Sequence, residues 1–339
     1  MPSETNLQVL LVRRPDGAPT PNDFDVLDGL MPTPDEGQIL VRNSFLSLDP
    51  YMRGRMNGAR DGYARPYALG EPVGGATVGI VVESRHVRYR PGDLVVGPGG
   101  WQHYSAYDAE EARKLPAGME HPSQALGVLG MTGLTAWHGL LAIGEPKTAE
   151  TLVVGAASGA VGSIVGQIAK LKGCRVVGIA GGLNKCRNVV QSLGFDGCID
   201  YRNSAFASDL KAAVPDGIDI YFENVGGAVF DAVWPLLNVH ARVPVCGLVA
   251  GYNGADTGSG HDRLPELALT LITKRITMKG FMSGDHTDQL DAFAAEMSAW
   301  LAAGKIVARE DITEGLDRAP AAFIGMLEGA NLGKTIVRL

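Results

Sequence analysis

Residues 151–182 read "TLVVGAASGAVGSIVGQIAKLKGCRVVGIAGG". The run 151–157, "TLVVGAA", is apolar without alternation, as in a strand covered on both faces. From Gly159 onward the pattern changes. Val161, Ile164, Val165, Ile168 and Leu171 recur at the spacing of one helix face, and Gly173 closes the helix. "RVVGIA", residues 175–180, is the next buried strand. The segment therefore reads as a strand–helix–strand unit of the usual ~30 residues.

The turn inside this unit is "AASGAVG". Against the pattern G-x-G-x-x-G it places Ala157, Gly159 and Gly162, with alanine at the first glycine position. Gly159 lets the backbone approach a pyrophosphate, and Gly162 lets the helix pack close to the strand. The N–H groups at the helix start then face the anion. A glycine turn alone is weak evidence. Its place between a buried strand and a helix makes it a candidate dinucleotide site.

Folds that select NAD carry an Asp or Glu about 20 residues further on, which binds the adenosine ribose. Here that count falls on Ala180, Gly181 and Gly182. The acid is absent, and the glycines leave room for a 2′-phosphate. Lys185 sits in the first turn of the following helix, where a cation opposes the helix dipole by ~0.3–1 kcal/mol unless an anion lies beside it. The alternative is a solvated lysine on an exposed face. Together, missing acid and lysine point to NADPH. Tyr201, after the strand "GCIDY", either packs beside the adenosine phosphate or is a surface residue at a strand end.

Working outward, Cys186, Val189, Val190 and Leu193 mark a second helix closed by Gly194. Residues 197–201, 217–225, 241–248 and 276–282 supply further strands. Six strands separated by helices give a doubly wound parallel sheet of Rossmann type. Residues 283–310 read as helical, with "LDAFAAEMSAWLAAGKI" amphipathic. The final "GKTIVRL" is a strand expected to return to the first domain. Residues 1–125 hold six short β segments and Pro-Gly turns, which suggest a partly open β-barrel. The expected division is a barrel domain of 1–125 plus 311–339 and a dinucleotide-binding domain of 126–310.

Bulk properties narrow the function. The 339 residues are 45% hydrophobic and 20% charged, with net charge −7. These values suit a globular enzyme and make nucleic acid or an anionic membrane a poor partner. The N-terminal "MPSETNLQVLLVRR" lacks the pattern of a signal peptide, so a cytoplasmic protein is expected. Cys174, Cys186, Cys198 and Cys246 show no C-x-x-C spacing, and the seven histidines (86, 103, 121, 138, 240, 261 and 286) are scattered. No metal site is expected.

Six stretches in order sharpen this: "LSLDPYMRGRM" (46–56), "GAVGSIVGQIAKLKGCRVVGIAGG" (159–182), "YFENVGG" (221–227), "CGLVAGYN" (246–253), "MKGF" (278–281) and "NLGKTIV" (331–337). Together they resemble the zinc-independent branch of the medium-chain dehydrogenase/reductase superfamily that contains prostaglandin reductases, plant alkenal double-bond reductases and bacterial curcumin reductase. Zinc-bearing members carry a cysteine in the N-terminal domain and a G-H-E motif. Here no cysteine precedes Cys174, and the matching stretch is "LGEPVGG".

The resemblance implies a GroES-like first domain and a homodimer. It also implies NADPH-dependent reduction of a carbon–carbon double bond conjugated to a carbonyl. It assigns Gly159, Ala160, Val161 and Gly162 to the pyrophosphate, and Lys185 and Tyr201 to the 2′-phosphate. Asn224 stands at the carboxyl end of the fourth strand, where such sheets bind ligands; Cys246, Gly247, Tyr252, Phe281, Ser283 and Asn331 go to the nicotinamide half, and Tyr51 and Tyr252 to the substrate. Tyr252 is the preferred donor to an enolate oxygen, since a tyrosine of pKa ≈ 10 is protonated at neutral pH. Otherwise Tyr252 is a loop aromatic shielding the cofactor, and Tyr51 a turn residue behind Pro50. "AGYN" departs from relatives that often carry a polar pair before Tyr-Asn. Tyr63 and Tyr67 either line an apolar mouth or stabilise their glycine-rich loop. A quinone reductase, or an NADPH-binding protein without catalysis, remains open.

Overall fold

The computed structural model describes residues 5–58, 65–254 and 263–339. Tyr63, His261 and the central parts of the two loops around 51–67 and 250–265 lie outside the described residues. The first segment holds β1 (Thr5–Leu11), β2 (Phe24–Leu30), β3 (Gln38–Ser47), α1 (Tyr51–Arg55), β4 (Thr77–Ser84), β5 (Leu94–Gly97), β6 (Tyr104–Asp108) and β7 (Arg113–Lys114). The middle begins with α2 (Met131–His138), β8 (Thr151–Val154), α3 (Gly162–Leu171), β9 (Arg175–Ala180), α4 (Leu183–Leu193), β10 (Gly197–Asp200) and α5 (Phe206–Ala213). It continues with β11 (Ile218–Phe222), α6 (Gly227–Val233), β12 (Leu237–Val245), α7 (Leu264–Lys274), β13 (Thr277–Gly280) and α8 (Leu290–Ala302). The last segment adds β14 (Glu310–Glu314), α9 (Ala319–Leu327) and β15 (Lys334–Arg338). These elements form two compact units, residues 1–127 with 310–339, and residues 128–309.

In the middle unit six strands make one sheet in the order β10-β9-β8-β11-β12-β13. Every neighbouring pair is parallel. Strand order reverses between β8 and β11, so the crevice beyond their carboxyl ends is where such sheets take ligands. All four residues of β8 are buried, which explains its unbroken apolar run. Ile164, Val165 and Ile168 of α3 pack into the same core. Gly166 is required there, since a β-carbon would overlap the Phe195 ring. Gly173 and Gly194, both at positive φ, end α3 and α4.

Some boundaries move. The helix expected from Gly159 starts at Gly162, because Gly159 is still part of the turn and donates its N–H back to the Ala156 carbonyl. β12 begins at Leu237, earlier than residue 241. Residues 283–310 are not one helix: a 3₁₀ segment Ser283–Gln289 precedes α8, and Gly304 at φ +64° turns the chain toward β14.

In the other unit β1 and β2 form an antiparallel ribbon, and the main sheet runs β14-β15-β3-β4-β5-β7. Among the described residues the first 127 thus contribute seven strands rather than six. One edge of β3 is shared: Gln38–Arg42 pair with β6, and Phe45–Ser47 pair with β15. The C-terminal strand does return to the first sheet, antiparallel to β3 and parallel to β14. Trp101 anchors this core, stacked on Phe24 and edge-on to Phe323. Tyr67 is buried, donates its hydroxyl to the Gly74 carbonyl at 2.9 Å and lies under Arg55. It stabilises its glycine-rich loop. No described helix is long and apolar enough to cross a membrane.

Candidate functional site

The turn beyond β8 is shaped by sterics. Ala157, at the first glycine position, is fully buried and donates its N–H to the Ile179 carbonyl of β9. A β-carbon at Gly162 would lie 2.5 Å from the Ala156 carbonyl oxygen, so only glycine fits where α3 begins. Gly159, Ala160 and Val161 form the turn that leads to that helix start. Bare backbone and a helix N-terminus on the crevice side suit a pyrophosphate.

Beyond β9 the chain passes Gly181 and then Gly182 at φ +97° before entering α4. Lys185 is the third residue of that helix and is half-buried. Tyr201 leaves the neighbouring β10 and donates its N–H to the Ala180 carbonyl. A β-carbon at Gly181 would lie 2.9 Å from the Tyr201 ring. The expected acid is missing from β9, but Asp200 of β10 occupies the corner. Its Oδ1 accepts from the N–H groups of Gly182 at 2.8 Å and Arg202 at 3.0 Å. The carboxylate is thus engaged by main chain.

Beyond β11 and β12 lies a second cluster. The Asn224 amide donates to the Gly155 carbonyl at 2.9 Å, tying the end of β11 to the end of β8. The Cys246 thiol donates to Asn224 Oδ1 at 2.7 Å, and burial pushes its pKa well above the ordinary value. It therefore stays a neutral thiol. The Tyr252 hydroxyl oxygen stands beside Gly247, where a β-carbon would be 3.5 Å away from it. Burial raises the Tyr252 pKa, with the Leu248 N–H opposing, so the phenol is protonated at neutral pH. Phe281 packs edge-on to Phe222 and tilts against His138, and Ser283 opens the 3₁₀ segment after β13.

Two residues named from the sequence stand in the other unit. Tyr51 is the first residue of α1, half-buried behind Pro50. Asn331 precedes β15 and donates to the Gly333 carbonyl at 2.9 Å.

Several polar groups behind these residues escaped sequence reading. Glu223 is fully buried. Its Oε1 accepts from the Val225 and Gly226 N–H groups, and its Oε2 from the Tyr221 hydroxyl. Burial raises its pKa, while those donors pull it back. An acid ending the apolar run "IDIYFENV" was the available signal. In the other unit Lys334 Nζ donates to Asp49 Oδ1 at 2.7 Å, with both side chains 5% exposed. Ser47 donates to the other Asp49 oxygen. This buried pair joins "GKT" to "LDP", immediately before Tyr51, and no local pattern announces it. The third is a stack of His138 on His286, ring centroids 3.6 Å apart.

Known proteins share this architecture. Residues 7–115 match the family described as N-terminal domain of oxidoreductase, and residues 160–300 the family described as zinc-binding dehydrogenase. Among the described residues no group of three or more His, Cys, Asp or Glu is placed to hold a metal ion. The NADPH-dependent curcumin reductase of Escherichia coli (strain K12) is 51% identical over 99% of this chain and 97% of its own length. The NADP(+)-dependent 2-alkenal reductase of Nicotiana tabacum is 38% identical over 98% and 97%. The crystal structure of CurA from Vibrio vulnificus in complex with NADPH superposes with a TM-score of 0.95, at 51% identity and 98% coverage of both chains.

Proposed function

The chain belongs to the zinc-independent branch of the medium-chain dehydrogenases/reductases, and from that premise we propose that it is an NADPH-dependent reductase of α,β-unsaturated ketones and aldehydes. One observation carries the chemical reading: Asn224, Cys246, Gly247 and the protonated Tyr252 hydroxyl converge beyond the carboxyl ends of β11 and β12. The bare backbone at Gly162 and Gly181, where a side chain would meet the Ala156 carbonyl and the Tyr201 ring, supports a cofactor lying close over the two turns. In this reading Gly159, Ala160, Val161 and Gly162 hold the pyrophosphate. Lys185 and Tyr201 hold the 2′-phosphate. Asn224, Cys246, Gly247, Tyr252, Phe281, Ser283 and Asn331 hold the nicotinamide half.

When bound, NADPH supplies a hydride to the carbon β to the substrate carbonyl. Negative charge then gathers on the carbonyl oxygen. Tyr252 donates its O–H to that oxygen, and its buried setting strengthens the bond as charge develops. The Cys246–Asn224–Gly155 chain fixes the loop that carries Tyr252. Tyr51 contributes a second hydroxyl on the substrate side. Water or a tyrosine delivers the proton to the α-carbon. The unit of residues 128–309 is the cofactor domain.

A homodimer through the cofactor domains suits the surface. β13 is a sheet edge with all four residues exposed, and α7 has no buried residue while exposing Leu269 and Ile272. A second copy would cover the unpaired strand edge and the apolar side chains of α7. NADPH consumption with a panel of alkenals, enones, quinones and alcohols tests the activity. Turnover confined to enones and enals is expected. Tight NADPH binding without turnover of any of them would end the proposal.

A further inference from the structure

We infer that Arg202 is a second cationic ligand of the NADPH ribose 2′-phosphate, and with Lys185 sets the choice of NADPH over NADH. The inference rests on the cofactor reading above and adds to it a residue outside the six sequence stretches.

The placement follows from the register. Asp200 of β10 pairs with Ala180 of β9, so Tyr201 and Arg202 leave the sheet level with Gly181 and Gly182. The side chain then lies back over that turn: a β-carbon at Gly181 would be 3.0 Å from Arg202 Nε and 3.0 Å from the Tyr201 hydroxyl. The guanidinium carbon is 5.9 Å from the Tyr201 ring centroid. Arg202 is therefore held over the bare backbone of Gly181.

Charge pairing within the protein leaves the head group available. Asp200 is the acid nearest in sequence, and its Oδ1 is engaged by the Gly182 and Arg202 main-chain N–H groups. Among the described residues the Arg202 guanidinium forms no ion pair, and it lies over the Tyr201 ring. A planar guanidinium presents parallel N–H groups that match two phosphate oxygens, which a lysine cannot do. Lys185 from α4 and Arg202 from β10 would then bracket one doubly charged group, with Gly181 and Gly182 clearing the space between. A 5′-phosphate or pyrophosphate is served by the turn beyond β8, so the chemistry left for this corner is a phosphate monoester on the ribose.

The test is a binding titration of the intact protein with NADPH, NADH, 2′,5′-ADP and 5′-AMP. The variants are Arg202→Gln, Arg202→Lys and Lys185→Ala. Arg202→Gln is expected to weaken NADPH and 2′,5′-ADP about 10-fold and to leave NADH and 5′-AMP within about twofold, the loss of one charge-assisted pair. Arg202→Lys should recover part of the loss, and added salt should narrow the gap between wild type and Arg202→Gln. Unchanged NADPH affinity in Arg202→Gln, or equal weakening of NADPH and NADH, overturns the inference. If Lys185→Ala shows the selective loss and Arg202→Gln does not, the cofactor reading stands without Arg202. If the wild type binds 2′,5′-ADP no tighter than 5′-AMP, the NADPH preference fails, and the role of Arg202 with it.

Discussion

Beyond β9, Gly181, Gly182, Lys185, Tyr201 and Arg202 form a corner of exposed or half-buried groups around bare backbone. Beyond β11, Glu223, Asn224, Cys246 and Tyr252 form a corner in which side chains and main chain hydrogen-bond one another. Both lie at carboxyl ends of strands in one parallel sheet. In the first corner the Tyr201 and Arg202 side chains are exposed, so they can change ligand preference at little cost to the fold. The second is polar and buried, and each group there completes another. Removing one exposes the rest to the penalty of an unmade hydrogen bond.

The sharpest break is Glu223→Ala. It strips partners from the Val225 and Gly226 N–H groups and from the Tyr221 hydroxyl. A loss of about 3 kcal/mol in unfolding free energy is expected. Glu223→Gln, which keeps an acceptor oxygen, should lose clearly less. Urea unfolding measures both; an unchanged midpoint for Glu223→Ala would mean the network is dispensable.

Tyr252→Phe probes the same corner at its open end. Turnover of an enone should fall roughly 100-fold, as when one oxyanion donor is removed, with NADPH affinity within about threefold. Weaker NADPH binding with unchanged turnover at saturating NADPH would place the hydroxyl in the cofactor site alone. Lys185→Ala probes the other corner. NADPH should bind about 10-fold more weakly, with NADH unchanged and the unfolding midpoint preserved. A large drop in stability would erase the contrast between the two corners.

The two corners were not equally legible in the sequence. Periodicity exposed β8, α3, β9 and α4 because each buries one continuous face, and positive-φ glycines marked the ends of both helices. The glycine corner was readable as an absence, since an expected acid was replaced by Gly181 and Gly182. Its counterpart from β10 was not, because the approach of Arg202 to Gly181 depends on strand register rather than on local spacing. Glu223 was hidden for a similar reason. Its donors are the main-chain N–H groups of its own turn and a tyrosine two residues back, and a sequence does not show which way a carboxylate faces. Lys334 and Asp49 are separated by almost the whole chain, and only the return of β15 to β3 joins them.

The smallest effect belongs to neither corner but to the wall behind Phe281. His138 is buried, stacks on His286 and hydrogen-bonds Gln289 through Nδ1. Burial lowers its pKa; the Gln289 amide oxygen and Asp288 oppose this, while His286 and Lys279 add to it. The folded protein therefore keeps this imidazole neutral at a pH where the unfolded chain, with its ordinary value of 6.5, takes up a proton. The stability it contributes is complete above pH 6.5. It is lost as pH falls from there toward the lower folded value, because the unfolded state binds the extra proton. His138→Gln keeps a polar side chain of similar reach and removes that titration. Its thermal midpoint should fall less between pH 7.5 and pH 5 than the parent's, although the parent is the more stable at pH 7.5. Equal falls in both proteins would show that His138 titrates alike in the folded and unfolded chain, and that its stack on His286 tolerates the charge.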